Sequence, residues 1–496
     1  FGSSYLGLRI LETSFAGDFS LHILMLRRSA LRLVALPPCE FEPTVYGGLS
    51  GEELLAKRHR YLNPVHFHNY TKPVTVVQGH RQYVWDDKGD RYLDLFGGVT
   101  TISVGHSHPR ITAVVAEQCS RFNHTSSLYL TEPILEFCET FASKLPAGHD
   151  WVVHPVNSGS EANDFAMLMA RVHTKSHPIV GLRYGYHGFA ENSRGMISVP
   201  GWKHNVPSPA GLLRTACPHP YHGIFGDDVD AYLKELETVL SCETGGAIAA
   251  FMAERIQGCG GAVELLPGYL RKAYDLVKSR GGLYIADEVQ CGYGRLGTHY
   301  WGFETEGIVP DIVTSAKSVA NGFPVGVVAC KREIAESMRG VSYFNTFGGG
   351  AVCMRVATET MRIIDEEGLQ KNCADTGAQL TTGLKRLAEK YPLIGHVRGI
   401  GLMMGFELVK DRSTKEPAKE ETVQLLEMLR EEKIIVGKGG VRGNVIRLHP
   451  PLVITEADVE AFLSAVDVCL AKLEMSAGLL HIHDSPQRLQ ASSLNA

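Results

Sequence analysis

The sequence lacks the features that mark several common classes of protein. Its 49 lysine and arginine residues are outnumbered by 54 aspartate and glutamate residues, and the net charge is −5. Without a long basic run, the chain offers no electrostatic footprint for nucleic acid. The 11 cysteines include no C-x-x-C pair, which argues against a zinc site or a disulfide scaffold and favours a reducing compartment. No uninterrupted apolar run reaches the roughly 18 residues of a membrane-spanning helix, so we expect no membrane segment.

What the chain does contain is typical of a large soluble enzyme. Its 496 residues are 44% hydrophobic and 21% charged, and such a length predicts two or more domains. The 52 glycines exceed the usual share of roughly 7%, which indicates many tight turns and close backbone approaches. An α/β enzyme fits this composition.

The N-terminal stretch 25–36 holds three arginines and no acidic residue. That composition predicts a mitochondrial transit segment, and we expect residues 1–24 to be upstream translated sequence or an extended leader. The alternative is a basic helix that lies on the fold of a cytoplasmic protein.

Short apolar runs alternate with amphipathic stretches after Pro109, which predicts βα units and a mostly parallel sheet. Ahead of them, Val84–Phe96 reads as a hairpin with Gly89 in its turn. The predicted strands are 151–156, 178–182, 247–253, 283–286, 312–316 and 325–329. Polar residues follow these runs, and ligands of open α/β sheets bind at the carboxyl ends of the strands. We therefore expect one site there.

Long helices (352–366, 369–390, 419–432) and short strands (400–408, 444–448) predict a second, smaller α+β domain. The predicted division is a leader (1–36), an N-terminal segment (37–109), a large domain (110–345), a small C-terminal domain (346–475) and a polar, loosely ordered tail (476–496).

Two residues point to a specific cofactor. Lys317 follows the run I-V-T-S-A, and Asp287 ends the apolar run L-Y-I-A, where a carboxylate needs a cationic partner. A lysine that forms an imine and an aspartate that pairs with a protonated ring nitrogen are what pyridoxal phosphate requires. The freed lysine amine can also move a proton. The alternative for Lys317 alone is a solvated surface lysine.

The motif N-S-G-S-E-A-N-D (157–164) follows a predicted strand and opens a predicted helix. Gly159 and Ser160 would present amides and a hydroxyl at the helix N-terminus, where a phosphate is favoured, although helix capping alone explains the serines. Tyr186 ends another run and could stack on a pyridine ring, or it could simply pack in the core.

Eight motifs in chain order resemble the class III aminotransferases, and the likeness runs from about Pro37 to Leu473. They are G-H-S-H-P (105–109), N-S-G-S-E-A-N-D (157–164), Y-H-G (186–188), A-D-E-V-Q-C-G-Y-G-R-L-G (286–297), P-D-I-V-T-S-A-K (310–317), N-T-F-G-G (345–349), V-R-G-I-G-L-M-M-G (397–405) and I-R-L-H-P-P-L-V-I (446–454). Segments such as P-P-C-E-F (37–41) most resemble the mitochondrial alanine–glyoxylate aminotransferase 2 type. The resemblance implies the pyridoxal-phosphate transferase fold of type I, with a mostly parallel seven-stranded sheet and a smaller α+β domain. It also implies a homodimer or a tetramer.

The resemblance further implies roles for single residues. Lys317 would bind the cofactor as an imine, Asp287 would pair with its pyridine nitrogen, and Tyr186 would cover one face of its ring. Gly159 and Ser160 would hold the phosphate.

Other residues take roles from the same resemblance. Val289 would pack behind the ring, and Gln290 would lie near its phenolic oxygen. Thr346 would reach the phosphate bound by the neighbouring subunit. Arg447 would bind the substrate carboxylate as a bidentate fork, and Glu254 would neutralise this arginine when a substrate presents an uncharged end.

The chain departs from the family pattern at a few positions. Arg255 stands where relatives have proline, and we expect it to compete for Glu254. Ser318 and Ala320 replace glycines, which puts the loop after the lysine in doubt, and G-G-G-A at 348–351 replaces G-G-N-P. Val99 stands where ornithine aminotransferases carry tyrosine, which argues against ornithine.

The leading hypothesis is a transaminase that moves an amino group from alanine, or from a β- or ω-amino acid, to glyoxylate or pyruvate. A phospho-lyase acting on amino-alcohol phosphates is the second hypothesis, with Arg255 as a possible phosphate ligand. A pseudoenzyme that keeps only the fold is the third, and the intact Lys317 and Asp287 speak against it.

Overall fold

A computed structural model describes residues 34–483. The predicted leader, apart from its last three residues, and residues 484–496 of the predicted tail lie outside this range. The strands, in chain order, are β1 (Val76–His80), β2 (Tyr83–Asp86), β3 (Arg91–Asp94), β4 (Trp151–Val156), β5 (Ile179–Leu182), β6 (Leu212–Thr215), β7 (Ala250–Ala253), β8 (Ile256–Gln257), β9 (Val263–Glu264), β10 (Leu283–Asp287), β11 (Ile312–Ser315), β12 (Gly326–Lys331), β13 (Ile394–Ile400), β14 (Met403–Asp411), β15 (Glu416–Pro417), β16 (Ile434–Ile435), β17 (Gly437–Gly439) and β18 (Val445–Leu448).

The longer α-helices, in chain order, are α1 (Gly51–Tyr61), α2 (Pro109–Arg121), α3 (Glu132–Ala142), α4 (Gly159–Thr174), α5 (Glu191–Met196), α6 (Val229–Cys242), α7 (Tyr269–Ser279), α8 (Arg332–Ser337), α9 (Ala351–Glu366), α10 (Leu369–Lys390), α11 (Lys419–Glu431) and α12 (Glu456–His483). Short 3-10 turns lie at Gly302–Glu306 and Lys317–Ala320. None of the helices between residues 34 and 483 combines the length and the apolar character needed to cross a membrane.

A seven-stranded sheet forms the centre of the molecule, with strand order β4-β12-β11-β10-β7-β5-β6. All neighbouring strands are parallel except at β12, which runs antiparallel to both β4 and β11. This confirms the predicted α/β fold with a mostly parallel sheet. Each predicted run coincides with a strand of the sheet, and only β6 was not predicted. It is a short strand at the sheet edge, and its Arg214 interrupts the apolar pattern.

Side chains of the central strands alternate between two hydrophobic layers, as the two-residue period of a strand requires. Ile285 and Ile312 pack on the face covered by α4, together with Phe165 of that helix. Tyr284 and Val313, one residue away in each strand, pack in the larger core on the other face. Because both faces are covered, the strands are continuous apolar runs, which is why they were predictable.

The C-terminal part forms a separate antiparallel sheet of order β13-β14-β18-β17, with β15 paired to the outer part of β14. The predicted strand 400–408 is in fact the end of β13 and most of β14, separated by a turn at Gly401 with a φ of 58°. The last helix continues to His483, into the stretch predicted as a loosely ordered tail. That prediction is wrong for 476–483, because the sequence has no proline before Pro486 to stop the helix.

Candidate active site

A cavity of about 300 Å³ lies at the carboxyl-terminal edge of the central sheet. The sequence-predicted residues that line it are Gly159, Ser160, Tyr186, Glu254, Asp287, Val289, Gln290 and Lys317. They come from the segments that follow β4, β5, β7, β10 and β11. Parallel strands bring these segments, distant in the sequence, to a single edge.

One end of the cavity is the N-terminus of α4, which begins at Gly159. The first amides of a helix have no partner within it, and with the helix dipole they favour an anion. A Cβ at Gly159 would lie 3.0 Å from the Val289 side chain, and a Cβ at Gly188 only 2.4 Å from the Ser160 hydroxyl oxygen. Glycine at both positions keeps this end of the cavity open.

Asp287 is almost fully buried, and three donors fix its carboxylate. His187 Nδ1 and Asn163 Nδ2 donate to Oδ2 over 2.7 and 2.9 Å, and the Val289 amide donates to Oδ1 over 3.1 Å. Although burial favours the neutral ring of His187, the hydrogen bond and charge of Asp287 raise its pKa. Each carboxylate oxygen accepts about two hydrogen bonds, so Oδ1 retains a lone pair.

Lys317 lies in the left-handed region with a φ of 49°, a conformation that is strained for a residue with a side chain. Its amine is buried, and burial lowers its pKa. A neutral amine is both a nucleophile and a proton acceptor.

The loop after Lys317 needs no glycine at the two positions that were in doubt. Ser318 and Ala320 are buried without a positive φ, and the Ser318 hydroxyl donates to the carbonyl of Thr100 over 2.9 Å. After Lys317, the positive φ angles of the loop fall instead on Asn321 and Gly322. The Asn321 side chain accepts from the Val104 amide and donates to the Gly105 carbonyl. Gly350, the other departure, has an ordinary φ of −55°. The concern about the loop geometry was therefore wrong.

Arg447 lies behind Gln290 rather than on the cavity wall, and its Nη2 donates to Gln290 Oε1 over 3.1 Å. It forms no ion pair with any acidic residue between 34 and 475, and its buried Nε has no partner. Glu254 faces the same cavity, where the amides of Tyr186 and Gly258 each donate to it over 3.1 Å. Burial, reinforced by the charge of Asp287, raises the pKa of Glu254 to about 7.

Arg255 points away from this site, because adjacent residues of an extended segment face opposite sides. Its guanidinium lies 3.5 Å from carboxylate oxygens of both Glu264 and Glu306, and it donates to Thr305 Oγ1 over 2.8 Å. The expectation that Arg255 competes for Glu254 is therefore wrong. Nor does Arg255 line the cavity as a phosphate ligand.

Val99 and Thr346 do not line the cavity either. Val99 is partly exposed in a left-handed turn, and its place on the wall is taken by Thr101. Thr346 is exposed on the segment 341–347. Asn163 and His187 were not predicted as site residues, although they lie in the motifs N-S-G-S-E-A-N-D and Y-H-G, because those motifs are also explained by phosphate binding and ring stacking.

The described residues fit pyridoxal phosphate. The cavity has an anion-binding end, a buried amine, and a fixed carboxylate with a free lone pair, together with the Tyr186 ring on its wall. Those are the groups that a phosphate, an aldehyde and a pyridinium nitrogen require.

Comparison with known proteins gives the same family. The family model Aminotransferase class-III matches residues 66–470. The mitochondrial alanine–glyoxylate aminotransferase 2 homolog 2 of Arabidopsis thaliana is 45% identical over 438 residues, 88% of this chain and 91% of that protein. The human mitochondrial alanine–glyoxylate aminotransferase 2 is 37% identical, covering 87% of this chain and 89% of that protein.

Solved structures have the same fold. The ω-transaminase of Pseudomonas jessenii in complex with PMP superposes with a TM-score of 0.80 at 27% identity, over 85% of this chain and 98% of that one. A phospholyase from Arthrobacter in complex with phosphoethanolamine gives 0.78 at 28% identity, over 84% and 99%.

Proposed function

The chain belongs to the class-III aminotransferases, and from this premise we propose that it moves an amino group from alanine, or from a β- or ω-amino acid, to glyoxylate or pyruvate. Pyridoxal phosphate is the proposed cofactor, and the reaction would proceed as two half-reactions of a ping-pong cycle. The names of the Arabidopsis and human relatives support alanine as the amino donor and glyoxylate as the acceptor. The observation that carries the proposal is the juxtaposition of the buried amine of Lys317 and the three-donor carboxylate of Asp287 in one cavity.

The cofactor would be held by residues already described. Gly159 and Ser160 would bind its phosphate, Asp287 its pyridine nitrogen and Lys317 its aldehyde carbon. When bound, pyridoxal phosphate supplies a ring that withdraws electrons from the carbon bearing the amino group. Val289 and Tyr186 would confine the ring, and Gln290 would donate to its phenolic oxygen.

The chain's own residues supply the proton chemistry. Asp287, held in place by its three donors, would accept a hydrogen bond from the pyridine nitrogen that it faces. The amine of Lys317, whose pKa is lowered by burial, would accept the proton from the substrate carbon that bears the amino group and would then donate it again.

Substrate binding would depend on Arg447. It lacks an acidic partner among residues 34–475, so a substrate carboxylate can supply two charge-assisted hydrogen bonds. A donor without a carboxylate beside its reacting carbon would leave this buried charge unpaired. Glu254 would then turn from its two backbone amides toward Arg447.

A phospho-lyase is a weaker second candidate. The phospholyase from Arthrobacter favours it, but the side chains that line the described cavity include only Lys317 and His187 as basic groups. His187 is bonded to Asp287 and Lys317 would hold the cofactor, so no basic side chain that lines the described cavity is left for a substrate phosphate. The third reading, a pseudoenzyme, does not explain why a buried lysine is kept in a strained conformation.

We also propose a homodimer in which Thr346 of one copy completes the phosphate site of the other. Large apolar side chains are exposed on the two sides of Thr346 and on the segment 128–130: Leu128, Tyr129, Leu130, Phe344 and Phe347. An exposed apolar patch of this kind is typical of a protein interface.

We propose that the protein acts in mitochondria, which the names of the Arabidopsis and human relatives support.

Single-turnover reactions with separate amines test the substrate assignment. We expect the visible absorbance of the loaded enzyme to bleach with alanine and to return with glyoxylate or pyruvate. Phosphate release from phosphoethanolamine without such bleaching would favour the phospho-lyase instead.

A further inference from the structure

A second cavity, of about 50 Å³, lies where the loop after β6 meets the C-terminal sheet. Its polar lining comes from His219 and His222 on the loop and from Arg398, Glu407 and Asn444 on the sheet side. It does not share these residues with the candidate active site.

The tautomer of His219 is fixed by the backbone. Its Nδ1 accepts from the amides of Tyr221 and His222 over 3.0 and 3.3 Å, so the proton of the neutral ring lies on Nε2. Burial, with the nearby charge of Arg398, lowers the pKa of His219 to about 2 and keeps the ring neutral. Nε2 donates to no protein atom within residues 34–475, although His219 is only 3% exposed.

Arg398 has a free donor of the same kind. Its Nε donates to the Gly261 carbonyl and its Nη1 to Glu407 Oε2, both over 2.8 Å. Nη2 has no acceptor in the described part of the chain, and the residue is 5% exposed. Neither donor atom is sealed from a molecule the size of water, so each takes its acceptor from the space that it borders.

The carboxylate of Glu407 does not supply the missing acceptor. Its Oε1 accepts from His222 Nε2 and Asn444 Nδ2, and its Oε2 from Arg398 Nη1. The charged groups of the lining are Arg398, Arg442 and Glu407, which leaves one positive charge in excess.

We propose that this cavity binds one small inorganic anion, of about the size of a halide, between Nε2–H of His219 and Nη2 of Arg398. The volume exceeds the roughly 15 Å³ that one water needs and is too small for an amino or keto acid. The anion would tie the loop to the C-terminal sheet. Because Gly440 and Asn444 border the cavity in the turn between β17 and β18, it would also steady the strand that carries Arg447.

The test uses the cofactor-loaded enzyme, with sodium bromide as the probe and sodium gluconate at equal ionic strength as the anion that is too large. We expect bromide to raise the unfolding temperature saturably and gluconate to leave it unchanged. A crystal soaked in bromide should show an anomalous peak between His219 and Arg398.

The matched variant is His219→Asn. Its amide oxygen can still accept from the Tyr221 and His222 amides, but its shorter side chain has no N–H at the position of His219 Nε2. We expect the dissociation constant for bromide to rise about tenfold, because the variant loses one hydrogen bond to a charged group. Arg442→Gln is the second variant, and it should weaken bromide binding in the same direction.

We expect any inhibition by bromide that arises from competition with the substrate carboxylate at Arg447 to be unchanged in His219→Asn. The proposal is overturned by a peak only at Arg447, by a water without anomalous signal in the cavity, or by equal stabilisation in gluconate.

Discussion

At the scale of single residues, the chemistry depends on groups that fix other groups. Asp287 would be free to rotate without Asn163 and His187, which both donate to its Oδ2. His187 is in turn enclosed with it, the two side chains being 1% and 2% exposed. The buried trio keeps the unused lone pair of Oδ1 directed at the cavity.

We expect Asp287→Asn to bind the cofactor but to lose most turnover. Removing one partner of a buried charged pair costs about 3–5 kcal/mol, and the loss should fall on the single-turnover rate with alanine. Glu288→Gln is the control, because that buried carboxylate accepts from the amides of Gly302 and Phe303, away from the cavity. Equal rates for Asp287→Asn and the unaltered enzyme would show that another group serves the pyridine nitrogen.

The proposed movement of Glu254 toward Arg447 predicts that the choice of amino donor depends on pH. With a pKa of about 7, Glu254 is neutral below that pH and ionised above it, and only the ionised form can neutralise Arg447. The ratio of the β-alanine to the alanine single-turnover rate should therefore rise as the pH passes upward through 7.

Arg447→Ala should raise the activation free energy of the keto-acid half-reaction by about 2–5 kcal/mol, because the substrate carboxylate loses its charged partner.

Glu254→Gln is the matched variant for this switch. It keeps the side-chain volume and one of the two oxygens that accept from the amides of Tyr186 and Gly258, but it cannot become charged. Its rate ratio should stay flat with pH. A ratio that still rises in this variant would assign the titration to another group.

The common location of Lys317, Asp287 and Gly159 could be predicted from the sequence, since these residues follow recognisable strand-like runs and line one cavity. Their partners could not. Whether Arg255 faces Glu254 depends on the side of the strand on which each side chain lies, and the pattern E-R-I-Q-G does not reveal the distant Glu306.

At the scale of secondary structure, Arg255 connects the junction of β7 and β8 to the 3-10 turn Gly302–Glu306. It is 5% exposed, and Glu306 has no other basic partner within the ion-pair distance in the described chain. The arginine thus acts as a structural tie between two segments beside the active site.

We expect Arg255→Met to lower the free energy of unfolding by about 3 kcal/mol, because it leaves the carboxylate of Glu306 buried and unpaired. The ratio of β-alanine to alanine activity should not change. Arg271→Met is the control: its ion pair with Asp275 is exposed and should contribute under about 1 kcal/mol. Denaturant unfolding measures both free-energy changes. A changed ratio of β-alanine to alanine activity in Arg255→Met would show that Arg255 does compete for Glu254.

Elements with a strong periodic pattern were predicted well, and weak ones were not. The helix predicted at 369–390 is α10, Leu369–Lys390, because its apolar face keeps the helical spacing over six turns. β13 went unrecognised because Gly395 and Gly399 break its alternation, and it is held by its pairing with β14. Tertiary pairing of this kind has no local signature.

At the scale of the whole molecule, the proposed dimer makes each site depend on two copies of the chain. Thr346 is exposed on one subunit, while Asn157 of the cavity wall donates to Asn345 beside it over 2.9 Å. The segment that would cross to the other copy is therefore anchored at the edge of its own cavity.

Subunit mixing tests this arrangement. Lys317→Ala homodimers should be inactive, and Thr346→Ala homodimers should bind the cofactor weakly. In a mixed dimer, one site would combine an intact Lys317 with an intact Thr346 from the other copy. We expect refolded mixtures to regain cofactor affinity and up to a quarter of the sites' activity, on the order expected for random pairing of two chains in a closed dimer. Activity that never exceeds the mean of the parents would place Thr346 in its own subunit's site.

The central claim is that Lys317 is the residue that binds the cofactor in this aminotransferase. Borohydride reduction of the loaded enzyme, followed by peptide mapping, measures this directly, because it fixes the cofactor to the amine that holds it. We predict a pyridoxyl label on the peptide that contains Lys317 and no label in the Lys317→Ala variant. A label on any other lysine of the unaltered enzyme, at a yield matching its bound cofactor, would contradict the account.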